Sequence, residues 1–158
     1  MVDVGHSFDV EVPIDFPFDY VSNIHNLAEW MYGLQRIAVV GDIERGPGAI
    51  YEGTVKLGAT LHTRIEVTGW EPGSMLTTES QSGFGNCSTW RFIPLGAKRS
   101  RITSDVTLRL PGGLVGKALG KTIQPFIAVA IRHSDIELRR HLEQRYQANA
   151  RVGNERPA

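Results

Sequence analysis

Residues 34–110 hold six strand-like segments, each closed by Gly or Pro, and a long helical stretch without such punctuation follows them. That order constrains the fold more than any single residue does. Segments 37–44, 50–57, 61–70, 75–81, 84–93 and 99–110 end at Gly46-Pro47-Gly48, Gly58, Pro72-Gly73, Gly83, Pro94-Leu95-Gly96 and Pro111-Gly112-Gly113. Gly and Pro supply the backbone angles of tight turns. Connections this short join antiparallel neighbours, so the pattern predicts a meander.

A further strand precedes it. Over 4–12, Phe8, Val10 and Val12 share one face while Asp9 and Glu11 take the other, as in a half-buried strand. Asp15 is placed to cap a helix, and Pro17 suits a first turn that needs no amide donor. Asn26 is placed to cap a second short helix over 27–32, and Gly33 to end it.

Alternation also assigns faces. Ile102, Ser104, Val106, Leu108 and Leu110 point one way, and Arg101, Asp105 and Arg109 the other. Leu61, Thr63, Ile65 and Val67 form a second inward set, and Asn86, Ser88, Trp90 and Phe92 a third. A sheet with one apolar side needs a cover. The helix predicted over 114–148 supplies it through Leu119, Ile123, Phe126 or Ile127, Ala130, Ser134, Leu138 and Leu142, at spacings of three and four. Arg132, Arg139, Arg140 and Glu143 fill its other side. Pro125 predicts a kink, or a break after Lys121. A curved sheet under such a helix leaves an apolar space, which points to a small-molecule pocket.

Bulk properties narrow the function classes. A chain of 158 residues suits one domain, read as residues 1–148, with a polar disordered tail over 149–158. Net charge is zero and Lys and Arg are dispersed, with Lys98, Arg99 and Arg101 as the tightest group. No global field draws nucleic acid or anionic lipid, and no nucleic-acid partner is expected. Cys87 is the only cysteine, which excludes an intrachain disulfide and a CxxC site. The acidic, alternating N-terminus does not read as a secretory signal. The uncharged stretch 122–131 is too short to span a bilayer and contains Pro125. The expectation is a cytoplasmic protein with no membrane span, and a homodimer is left open.

Candidate chemistry is sparse. His6, His25, His62, His133 and His141 form no metal-ligand spacing and read as surface or hydrogen-bonded histidines. Cys87 reads as a small strand residue. Neither a catalytic group nor a metal or cofactor is assigned. The inward polar residues Thr63, Thr78, Ser80, Asn86, Ser88, Ser104 and Ser134 carry more information, because each buried hydroxyl or amide must find a partner. Either they pair with one another and with backbone, or they line a partly wet cavity that orients a ligand. Trp30, Tyr51, Phe84 and Trp90 are its aromatic walls or plain core. Phe126, Ala130 and Ser134 are the candidate contacts from the covering helix.

The opening "IDFPFDYVSNIHNLAEW", the six punctuated strands and the closing "SDIELRRHLEQRY" resemble the START-like superfamily, also called SRPBCC or helix-grip. "GAIYEGTV", "TGWEPGSML" and "STWRFIPLGAKRSRIT" are similar to its bacterial polyketide cyclase-like members. The resemblance implies an α+β fold, with a seven-stranded antiparallel sheet curved around a long C-terminal helix and two short helices after the first strand. It implies binding of a small hydrophobic or aromatic molecule, polyketide- or lipid-like, in a cavity between sheet and C-terminal helix. The alternative is a cyclase or dehydratase acting on a polyketide-like substrate. A third class is a protein whose cavity is filled by its own side chains.

Overall fold

Alternating apolar residues and short glycine turns fold the chain into one seven-stranded antiparallel sheet. The computed structural model describes residues 2–110 and 112–155. Strand β1 (Val2–Val10) leads into helix α1 (Asp15–Val21), a 3-10 turn (Ile24–Asn26) and helix α2 (Leu27–Trp30). Strands β2 (Leu34–Val40), β3 (Ile50–Leu57), β4 (Ala59–Glu71), β5 (Met75–Gly83), β6 (Gly85–Gly96) and β7 (Arg99–Arg109) follow, and helix α3 (Gly113–Glu155) closes the chain. The sheet order is β1-β7-β6-β5-β4-β3-β2. Consecutive strands from β2 to β7 are neighbours, and only β1 is carried across to pair with β7, as short connections require.

Two glycines show what the turns demand. Gly83 has φ +80°, and a side chain there would collide with the His62 carbonyl. Gly58, at φ +74°, lies under the Phe126 ring, where an added Cβ would sit 2.6 Å from Cε2. Both positions exclude an ordinary residue on conformation and on space.

The core lies between the sheet and the two helical regions. Val10, Val12, Phe18, Phe92, Ile102, Leu138 and Leu142 are buried in it. Phe18 packs edge-on against Trp70 and Phe92, with ring centroids 4.9 and 5.6 Å away. Ser100, fully buried, donates to the Val12 carbonyl at 2.6 Å and so closes the corner where β1 ends.

Several local expectations need correction. Asp15 is the first helical residue of α1, Ile14 stands at the cap position, and no side chain caps this end. Asn26 precedes α2 but does not cap it, because its side-chain amide donates to the Tyr20 carbonyl at 3.1 Å. The cap falls instead to Asn23, which accepts from the His25 amide and starts the 3-10 turn. Helix α2 stops at Trp30, and β2 begins at Leu34 and ends at Val40. Pro125 sits inside a single continuous α3, so the break after Lys121 does not occur. The helix also runs past Ala148 to Glu155. Ala150 and Arg151 are good helix formers, and residues 149–155 continue the helix. Residues 156–158 lie outside the described residues.

Candidate functional site

The inward faces of six strands and the α1–α2 region line a half-open cavity of about 250 Å³. Val21, Ile24, Leu27, Trp30 and Met31 form one wall. Alternate residues of the sheet form the other, including Tyr51, Leu61, Ile65, Leu76, Trp90, Val106 and Leu108. The period of two explains the selection, because every second side chain of a strand faces the same side. Among the described residues, no Asp, Glu, Lys, Arg, His or Cys borders the space.

The expected contact residues divide into two groups. Trp30, Tyr51, Thr63, Thr78, Phe84, Ser88 and Trp90 line the cavity. Ser80, Ser104, Phe126, Ala130 and Ser134 do not. Ser80, opposite Ile65, accepts from the Asn86 backbone N–H at 2.9 Å beside a register shift between β4 and β5. Ser104 is buried farther along the sheet. On α3, Phe126 packs on Gly58, and Ser134 accepts from the Tyr32 amide at 3.0 Å. The cavity therefore lies between the sheet and the α1–α2 region, and no α3 residue is among its lining. The expected contacts from the C-terminal helix, Phe126, Ala130 and Ser134, stand outside this lining.

Of the inward polar groups, Thr63, Thr78, Asn86 and Ser88 line the cavity, and all four are hydrogen-bonded. Thr78 and Ser88 share a hydrogen bond at 2.8 Å across β5 and β6. Asn86 donates to Thr63 Oγ1 and to the Phe84 carbonyl, both at 2.9 Å, and Thr63 also donates to that carbonyl at 3.1 Å. The Tyr51 hydroxyl donates to the Glu44 carbonyl at 2.8 Å. Burial pushes the Tyr51 phenol above its ordinary range, so it stays neutral. In the Thr78–Ser88 pair one hydroxyl hydrogen is used, which leaves the other free to donate to a ligand.

A second polar group lies beside the cavity, behind Trp90. His6 and Trp90 both pair with Ser104 across neighbouring strands. The His6 ring stands edge-on to Trp90 at 6.2 Å, and Trp90 stands edge-on to Trp30 at 5.5 Å. His6 Nδ1 lies 2.9 Å from Asp135 Oδ2 of α3, an ion-pair distance. Among the described residues, the buried side-chain polar atoms without an aligned hydrogen-bond partner are His6 Nδ1, Trp30 Nε1, Ser104 Oγ and Asp135 Oδ1. All four surround Trp90 or its contacts. Buried polar atoms are normally paired, so their concentration here marks a functional candidate. The sequence reading named His6 among the histidines without placing it inward or giving it Asp135 as a partner. The signal was available, since His6 has the same parity as Phe8 and Val10 on the inward face of β1. Asp135 neighbours Ser134 on the covering side of α3, where a carboxylate needs a partner.

Residues 1–143 match a family described as polyketide cyclase/dehydrase and lipid transport. The chain belongs to that family. Comparison with curated protein sequences gives no match. Among solved structures, a protein from Thermus thermophilus is similar at 17% identity, with a TM-score of 0.74 over 89% of this chain and 97% of its own. A START superfamily protein from Mycobacterium smegmatis is similar at 18% identity, TM-score 0.67, over 90% of this chain and 97% of its own. The Zhui aromatase/cyclase from a Streptomyces species is similar at 15% identity, TM-score 0.67, over 96% of this chain and 97% of its own. These likenesses establish the START-like helix-grip fold. Members of a family with so broad a description share a container more than a reaction.

Proposed function

We propose that the protein binds a small apolar or aromatic molecule in the cavity between the sheet and the α1–α2 region. The observation that carries this is a wall without one charged side chain around about 250 Å³ of space. An apolar cavity of about 150 Å³ takes benzene, so this one suits roughly a fused bicyclic ring system or a short branched chain. Trp30, Phe84 and Trp90 give it flat faces, and the Thr78–Ser88 hydroxyls and Asn86 offer a polar end that selects orientation.

An apolar fluorescent probe should bind at one saturable site and be displaced by naphthalene-sized aromatics. Val106→Phe, which fills the cavity, should weaken binding at least tenfold. Ala130→Phe, on α3 outside the lining, should leave it unchanged. Equal affinity in the native protein and the Val106 variant would sink this reading.

One observation favours a second reading, a cyclase or dehydratase acting on a polyketide-like substrate. The His6–Asp135 pair stands one aromatic ring away from the cavity, and an imidazole held by a carboxylate is the common proton carrier in such chemistry. Dehydration of a β-hydroxy ketone removes a carbon-bound proton and a hydroxyl, released together as water. His6→Gln should abolish that turnover while binding persists. Unchanged turnover would dismiss His6.

A further inference from the structure

Whole-chain neutrality hides a local asymmetry. From Val106 through Ser134 the sequence holds no Asp or Glu, whereas Arg109, Lys117, Lys121 and Arg132 all fall within that span. All four are exposed. The residues of that span from Gly113 onward form the N-terminal half of α3, and that half carries large apolar groups in water. Leu114 is 85% exposed, Val115 71% and Val129 50%, with Ile136 at 55% one turn beyond Arg132. At 100° per residue, Leu114, Ala118, Thr122, Pro125, Val129 and Ile136 form one stripe along the outer side of the helix. Lys117 and Lys121 run along one edge of it, and Arg132 stands at the same angle as Leu114.

The inner side of this half is already committed. Ile123 is buried, Phe126 rests on Gly58, and Gly120 approaches Leu110. Farther on, Leu138 and Leu142 fix the helix in the core. By length and composition α3 could cross a bilayer, and only 11% of its most apolar window is buried. Threading it through would tear these inner contacts from the sheet. A helix with one side held by its own domain, an exposed apolar stripe and flanking lysines without nearby acids suits the plane of a membrane interface.

We propose that the outer face of residues 113–136 docks on an anionic lipid surface, with the apolar stripe at the headgroup–acyl boundary and Lys117, Lys121 and Arg132 among the headgroups. Charge complementarity selects this occupant over a second copy of the chain, because two such faces would bring their lysines together. Docking there leaves the inner contact of Phe126 with Gly58, next to the cavity residue Leu57, undisturbed. A ligand of low water solubility would then meet the protein where such molecules collect.

The test is flotation of the full chain with phosphatidylcholine vesicles containing about one-third phosphatidylglycerol, against pure phosphatidylcholine vesicles. The account expects binding to the anionic vesicles at least tenfold tighter, falling steeply between low and high salt. Lys117→Glu with Lys121→Glu should abolish it, and Leu114→Ser with Val129→Ser should weaken it about tenfold or more. These positions are exposed, so the folded state should persist, and far-ultraviolet circular dichroism checks that it does. Absence of flotation at low salt overturns the proposal, as does equal binding to both vesicle types. A concentration-dependent dimer broken by Val129→Glu, with no vesicle binding, would assign the face to a second copy and likewise overturn it.

Discussion

The two halves of α3 differ in apolar content, and the more apolar half is the less buried one. In the C-terminal half, Leu138 and Leu142 are fully buried, and Asp135 reaches His6 on β1. In the N-terminal half, Leu114, Val115 and Val129 face solvent, and Ile123 is the large side chain that is fully covered. Charge on the outer face makes the difference. Arg139, Arg140 and Glu143 define which side of the C-terminal half must stay wet, so the remaining side has one orientation available. Residues 113–131 are apolar or small nearly all round, and Lys117 and Lys121 alone carry charge. Apolarity says that a helix wants cover, but only a polar face says from which side.

That comparison can be broken by mutation. The largest effect should come from Leu138→Ala, which leaves a cavity in the core and should destabilise the fold by about 2–5 kcal/mol in chemical unfolding. An effect below about 0.5 kcal/mol would mean that the C-terminal half is not the anchor. Asp135→Ala should come next. It strips His6 of its partner while leaving the helix packed, and a loss of about 1–3 kcal/mol is expected. If the unfolding midpoint stays put, the ion pair does not hold α3 to β1.

Val129→Ser should change stability by less than about 0.5 kcal/mol, since the residue is half exposed. A multi-kcal loss would show that the N-terminal half is packed after all. The smallest effect belongs to the outer face of the sheet, where Arg99 and Arg101 flank Asp9. The hydrogen bond from Arg101 holds the Asp9 carboxyl below its ordinary value. A depressed folded value adds stability above the unfolded value of about 3.9 and loses it as pH falls through the lower folded one. Asp9→Asn should therefore shift the thermal midpoint slightly at pH 7, and the difference should fade below about pH 4. A difference that grows in acid would reverse this assignment.

The legibility of the sequence follows the same division. Strand order was readable because glycine turns and a period of two constrain both topology and facing. Thr63, Thr78, Ser88 and Trp90 reach the cavity wall for that reason. Ser80 keeps the parity of Thr78 and pairs with Ile65, but its hydroxyl is taken by the Asn86 backbone N–H at the end of the regular pairing. Ala130 and Ser134 were assigned to the wall because the helix was expected to roof the cavity. Which part of the chain roofs a sheet is a tertiary choice, and Leu27, Trp30 and Met31 make it here. His6 was passed over because a histidine was weighed by its motif spacing and not by its parity with Phe8 and Val10. The acid-free stretch from Val106 to Ser134 was missed by looking for clustered bases when the signal was absent acids.

The central claim is that the binding space lies between the sheet and the α1–α2 region, and that the N-terminal half of α3 faces away from it. Nuclear magnetic resonance titration with naphthalene tests this most directly. The account predicts saturable shifts at the indole N–H groups of Trp30 and Trp90 and at the methyl groups of Leu76 and Val106, with Leu114 and Val129 unmoved. Shifts concentrated on Leu114, Val115 and Val129, with the two tryptophans silent, would contradict it.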